Sequence, residues 1–169
     1  MTARNPVSHA VATFLWVGHM PLAPGTWGSL AALPFGWLLH GLGGPWLLGA
    51  GAVLAFALGW WATGVETADR ADHDPGEIVI DEVAGQWIAL LPLSAGLAMM
   101  GADPWVFPWP GVLGAFVLFR IFDMWKPGPI GWADRMHTPL GVMLDDVLAG
   151  IAAGAVLLAG AALAHGWLT

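Results

Sequence analysis

From Asn5 to Val65 the chain carries no Asp, Glu, Lys or Arg, and from Val147 to Thr169 it again carries none. Uncharged stretches of this length do not make the outside of a water-soluble domain. They suit hydrocarbon, which is about 30 Å thick and takes roughly 20 helical residues to cross. The rest of the composition agrees: 57% of residues are hydrophobic, 10% are charged, and the mean hydropathy is +0.70. That leaves too little polar side chain to cover a surface facing water. The expected fold is all-α, a polytopic helical membrane protein with about four to five membrane-embedded helices and two polar cytoplasmic windows. Residues 1–169 make one domain.

Composition also excludes several chemistries. With no cysteine, the chain has no disulfide, zinc-thiolate site, iron-sulfur cluster or thiol nucleophile. A formal charge of -7 with five Lys and Arg excludes the basic stripe that nucleic-acid binding needs.

The charges that exist are confined. Seven of the 12 acids lie between Glu66 and Glu82 (Glu66, Asp69, Asp72, Asp74, Glu77, Asp81, Glu82), and four lie between Arg120 and Asp146 (Asp123, Asp134, Asp145, Asp146). Arg70, Arg120, Lys126 and Arg135 share these two windows, leaving Arg4 and Asp103 outside. Between them, Pro45 to Val65, Val83 to Ala102 and Val147 to Leu168 are candidate spans, the last rich in the Ala and Gly that let helices pack closely in lipid. A further helix starts near Gly111 and runs past Arg120 toward Trp125. Residues 26–42 make a short span, a re-entrant piece or an interfacial helix, followed by a turn at Gly41, Gly43, Gly44 and Pro45. If residues 26–42 and 45–65 form a hairpin, the N-terminus and both windows share one face of the membrane. All five basic residues then lie on that face, which the positive-inside tendency assigns to the cytoplasm, here of a bacterial inner membrane. No signal peptide is evident.

Two acidic pairs border spans in the same way, Asp81-Glu82 before Val83 and Asp145-Asp146 before Val147. Their surroundings echo one another, IDEVAG against LDDVLAG, as a weak internal repeat. At equal depth, four carboxylates converge, and such a cluster needs a cation; hard oxygen ligands suit Mg²⁺. The plainer alternative is that the acids complement helix dipoles, worth about 0.3–1 kcal/mol each. Arg120 and Asp123 stand one helical turn apart with Lys126 a turn further, where Pro127 disfavours more helix. Arg offers a planar fork for phosphate and Lys a mobile charge; both alternatively snorkel toward headgroups. In the Gly-rich turn PGTWGS, Thr26 or Ser29 would cap a helix whose free N–H groups also bind anions. It has no Walker lysine. His73 and His137 lie in the polar windows as loop residues within reach of a substrate. No G-x-S-x-G elbow occurs.

Four blocks resemble bacterial phosphatidylglycerophosphatase A, in the family's order across roughly residues 10 to 160: APGTWGSL from Ala23, HDPGEIVIDE from His73, FRIFDMWKPGPI from Phe119 with Asp134-Arg135, and GVMLDDVLAG from Gly141. One departure is Thr138-Pro139, where the family tends to have glycines. The resemblance implies an all-helical, Mg²⁺-dependent membrane enzyme that removes the terminal phosphate of phosphatidylglycerophosphate. Together with the residues it leads us to expect metal ligands at Asp81, Glu82, Asp145 and Asp146, and phosphate contacts from Arg120, Lys126, Arg135, Thr26 and Ser29. Asp123 is the first choice of general base, with Asp134 and Asp74 as rivals; Asp123 could instead orient Arg120 or act as a nucleophile. The expected partners are the phospholipid substrate and the membrane, and the Gly- and Ala-rich last helix offers a face for a homodimer. From another class, an ion-coupled transporter would use the acidic pairs as cation sites.

Overall fold

The computed structural model describes residues 5–164 and is all-helical there, with no strand among the described residues. Arg4 and the end of the third candidate span beyond residue 164 lie outside the described residues. The helices are α1 (Pro6–Ala12), α2 (Pro24–Thr67), α3 (Ile80–Met99), α4 (Trp109–Trp125), α5 (Pro129–Asp134) and α6 (Pro139–Ala164), with a single 3₁₀ turn (Val17–His19) between α1 and α2. Prolines open α1, α2, α5 and α6 and stand second in α4. There the missing N–H would have had no partner and the fixed φ suits a helix start.

α2, α3 and α6 are long and apolar enough to cross a membrane. α2 is not one rod. Gly43 and Gly44 leave helical geometry, Gly44 at φ +60° and ψ −151°, a combination other residues scarcely reach. The two limbs, 24–42 and 45–67, fold back on each other along α3. Gly28 and Gly59 both face the start of α3, at Val79 and Ile80, while Gly36 and Gly51 both face Trp87 two turns on. This is the expected hairpin, and it returns Glu66 to the end where α2 began.

α3 is the central helix, packed between α2 on one side and α6 on the other, with α4 against both α3 and α6. The buried core is dominated by small residues: Ala32, Ala62, Ala84, Ala89, Ala115, Ala149 and Ala153 are fully enclosed, with Leu48, Leu90, Phe119 and Met143 filling the gaps. Large apolar side chains point outward, Trp46 at 88% exposed among them. This inside-out distribution suits lipid, where exposing Leu or Trp carries no penalty and close backbone packing supplies the attraction.

Two helix starts differ from the sequence expectations. α2 begins at Pro24 behind Ala23 in the left-handed region, so neither Thr26 nor Ser29 is its N-cap. Proline in the first turn fixed the start earlier than the hydroxyls suggested. α6 begins at Pro139, not at Val147, with the Thr138 hydroxyl accepting from Gly141 N–H at 3.1 Å. The departure at Thr138-Pro139 therefore makes a capped helix start. As a consequence Asp145 and Asp146 sit inside a helix rather than before one.

Candidate metal and phosphate site

α3 and α6 cross with their backbones nearly touching. A Cβ on Gly150 would lie 2.3 Å from the Gly85 carbonyl oxygen, and one on Gly85 would lie 2.6 Å from that of Asp146. Just beyond this contact, Asp81 and Glu82 in the first turn of α3 come against Asp146 of α6. One carboxylate oxygen from each of the three lies within 4.8 Å of the other two. Asp81 and Asp146 are only 6% and 3% exposed. Glu82 Oε2 and Asp146 Oδ2 are buried with no hydrogen-bond partner. Three carboxylates in a desolvated space repel one another strongly, and unsatisfied oxygens aggravate the cost. A divalent cation answers both demands, and an all-oxygen donor set fits a hard ion of the Mg²⁺ class.

Asp145, the fourth expected ligand, points elsewhere. It accepts a hydrogen bond from Lys126 Nζ at 2.7 Å, and Lys126 also holds Asp134. Lys126 caps α4 in the left-handed region, which swings its side chain off the helix line toward α5 and α6. Burial opposes its charge, yet the hydrogen bonds to Asp134 and Asp145 win and raise its pKa above the usual lysine range.

Arg120 lies on the other side of the acids. Its Nη1 is 2.5 Å from Asp123 Oδ2, the expected one-turn pair, and 3.8 Å from Glu82 Oε1. The same nitrogen donates to Ser29 Oγ at 3.5 Å, while Ser29 donates to Gly25 O at 2.9 Å. Arg120 Nε is buried and unpartnered. Gly25 is what allows this arrangement, since a Cβ there would stand 1.9 Å from Glu82 Oε1. The start of α2 thus presses bare backbone onto the acids.

One cavity of about 340 Å³ is lined by Asp74, Asp81, Glu82, Arg120, Asp123, Lys126, Asp145 and Asp146. A second, of about 300 Å³, shares Asp74 and Asp145 with it and adds Asp72, His73, Asp134 and His137. Its two imidazole rings have centroids 6.2 Å apart. Asp74, in the loop before α3, makes no ion pair among the described residues. Desolvation raises its pKa above the ordinary carboxylate range, Lys126 opposes the shift, and Asp134, Asp72 and Asp123 add to it.

Three expected phosphate contacts line neither cavity: Thr26 in the first turn of α2, Ser29, which is fully buried between Gly25 and Arg120, and Arg135, exposed at the end of α5. One residue went unnoticed in the sequence: Gln86, a turn beyond Glu82, is fully buried with both amide atoms unpartnered. A glutamine inside an uncharged span was the available signal.

The fold and site together define a helical protein of membrane type that gathers buried carboxylates and two cations at one polar end. Comparison with known sequences names the group. The family model described as phosphatidylglycerophosphatase A matches residues 10–161. Phosphatidylglycerophosphatase A of Escherichia coli (strain K12) is 40% identical over 151 residues, covering 88% of this chain and 80% of the relative. Phosphatidylglycerophosphatase A of Haemophilus influenzae is 38% identical over 156 residues, covering 92% and 88%. A relative from Bacteroides thetaiotaomicron, 36% identical over 151 residues (83% and 85%), carries the provisional name phosphatidylinositol-3-phosphatase. No solved structure matches. The chain belongs to the phosphatidylglycerophosphatase A family and is a phosphatase.

Proposed function

We propose that the chain hydrolyses the terminal phosphomonoester of phosphatidylglycerophosphate to phosphatidylglycerol and inorganic phosphate, with Mg²⁺ held by Asp81, Glu82 and Asp146. The reading is carried by the single cavity in which the buried Asp81 and Asp146 and the half-buried Glu82 face Arg120 and Lys126. A phosphate dianion is stable beside those acids only when a cation offsets them. When bound, Mg²⁺ would neutralise charge on the phosphoryl oxygens.

The protein groups divide the remaining work. Arg120, with its Nε lacking a partner, donates to the phosphoryl group and stabilises charge in the transition state. Asp123 grips Arg120 at 2.5 Å and positions it, the alternative role the sequence offered it, and in this reading the base is its rival Asp74. Lys126 holds Asp134 and Asp145 and keeps positive charge on the wall of the cavity. Asp74 accepts the proton of the attacking water, because it makes no ion pair among the described residues and its raised pKa strengthens it as a base. The water oxygen bonds to phosphorus, the bond from phosphorus to the glycerol oxygen breaks, and the leaving alkoxide takes a proton from solvent. The acyl chains stay in the bilayer. The polar end faces the cytoplasm of the inner membrane in this reading, since Arg70, Arg120, Lys126 and Arg135 gather there.

The test is phosphate release from phosphatidylglycerophosphate by the detergent-purified protein, with Mg²⁺ and with EDTA. Release that stops in EDTA is expected. Folded protein that releases none, yet moves cations across proteoliposomes, would instead make it a transporter.

Two further outcomes are expected. Lys126→Met leaves Asp145 and Asp134 without their shared cation, and kcat/KM should fall about 100-fold; unchanged kinetics would return Lys126 to headgroup contact alone. The pH–rate profile should lose activity on the acid side already above the ordinary carboxylate range of about 3.9. The sign follows from the base role: Asp74 works only when ionised, and its pKa is raised. Asp74→Asn should abolish that limb along with most of the rate, and a profile retaining it would assign the base to another group.

A further inference from the structure

At the same end of the molecule, outside both cavities, the segment between α1 and α2 doubles back. Phe14, Leu15 and Trp16 take φ values of 43°, 56° and 68°, three successive L-residues in the left-handed region. Such runs are strained and persist where the surroundings impose them, ligand clamps among the recurrent places. The outcome here is that His19, in the 3₁₀ turn, meets His9 of α1, with their Nε2 atoms 2.9 Å apart. The other nitrogen of His9, Nδ1, lies 3.1 Å from Glu66 Oε2, and Glu66 Oε1 accepts from the Ser8 hydroxyl at 2.7 Å. Glu66 is buried at the end of α2. An imidazole that gives its Nδ1–H to a carboxylate directs its Nε2 lone pair away from that carboxylate, the orientation that outer-shell carboxylates impose on metal-binding histidines.

We propose that His9 Nε2 and His19 Nε2 form a binding site for a divalent transition-metal ion of the zinc class, oriented from behind by Glu66 and separate from the carboxylate cluster. Imidazole nitrogen is the borderline-soft donor that such ions prefer and Mg²⁺ does not. At metal–nitrogen distances of 2.0–2.1 Å and a tetrahedral angle, two donor nitrogens stand about 3.3 Å apart. The rings therefore need to part by only a few tenths of an ångström. His19 is exposed and can supply that movement, and water completes the coordination. The simpler occupant of the gap is a proton shared by the two rings, and the two occupants differ in what they bind.

The test uses the detergent-solubilised full chain, stripped of metal and kept in excess Mg²⁺ so that the carboxylates are satisfied. Zn²⁺ is titrated against a chromophoric chelator. The expected result is one high-affinity Zn²⁺ per chain in the wild type, weakened at least about tenfold in His19→Ala and about 10–100-fold in Glu66→Gln. His19→Ala removes an exposed side chain and keeps the test valid should Glu66→Gln fail to fold. Cu²⁺ in place of Zn²⁺ should show two coordinated imidazole nitrogens by electron paramagnetic resonance, and one in His19→Ala. Equal Zn²⁺ affinity in wild type and His19→Ala overturns the proposal and leaves the shared proton. So does a Zn²⁺ signal that disappears in His137→Ala instead, since it places the ion at the other histidine pair.

Discussion

Asp146→Asn is expected to lower kcat by about 10³-fold while leaving the protein folded. Asp146 is 3% exposed, one of its oxygens has no partner, and it is the contribution of α6 to the three-carboxylate cluster. Asparagine keeps the shape but removes a charge and turns one acceptor into a donor facing other acids. Without a divalent cation the variant should be as stable as the wild type or more so, because a buried repulsion is relieved. Adding Mg²⁺ separates the two: a wild type at 100 times its dissociation constant gains about 2.7 kcal/mol of stability by linkage, and the variant gains almost none. Thermal unfolding in detergent, scanned against Mg²⁺, reads this without reference to turnover. Asp145→Asn is the control, being the neighbour that Lys126 occupies; its loss of rate should be about tenfold, as for a group acting through another. Equal losses in the two variants would mean that both acids of the pair are ligands.

Gly150→Ala is expected to destabilise the protein by about 1–3 kcal/mol and to reduce kcat by about 10²-fold. The new Cβ would lie 2.3 Å from the carbonyl oxygen of Gly85 and within 3.2 Å of two further backbone atoms. No flexible side chain is there to yield, so α6 must move away from α3. Asp146 and Asp81 ride on those helices, and a shift of about 1 Å between groups that must converge on one ion is costly. Gly160→Ala, on the same helix with nothing within 4 Å of the added atom, should leave kcat unchanged and hold or slightly raise the unfolding temperature. Circular dichroism melts and steady-state phosphate release on both variants check the pair. Full activity in Gly150→Ala would show that the crossing does not set the site geometry.

Much of this architecture was legible along the chain. Charge and hydrocarbon exclude each other strongly enough that gaps between charged windows outline the membrane-embedded helices, so α3, α4 and both limbs of α2 could be placed before any contact was known. The hairpin at Gly43 and Gly44 and the gathering of the two polar windows at one end followed from the same reasoning. So did the one-turn pairing of Arg120 with Asp123, a property of helical spacing. Helix starts were less legible. At α2 and α6 a proline in the first turn set the boundary ahead of the hydroxyl or acidic residues that looked like starts.

The site itself required the tertiary structure. Asp145 and Asp146 are adjacent and alike in sequence, yet one joins Asp81 and Glu82 and the other turns to Lys126, because successive residues on a helix point about 100° apart. Which of the two faces α3 depends on how α6 is rotated, and the contact of Gly150 with Gly85 fixes that rotation. The histidines at 9 and 19 likewise meet only because three left-handed residues fold the chain between them. What the amino-acid order determined alone was which segments can bear hydrocarbon and at which end the charges collect, since each follows from the solvation of single residues. Which oxygen faces which nitrogen was decided by helix crossing and rotation, which arise from contacts between residues far apart in the chain.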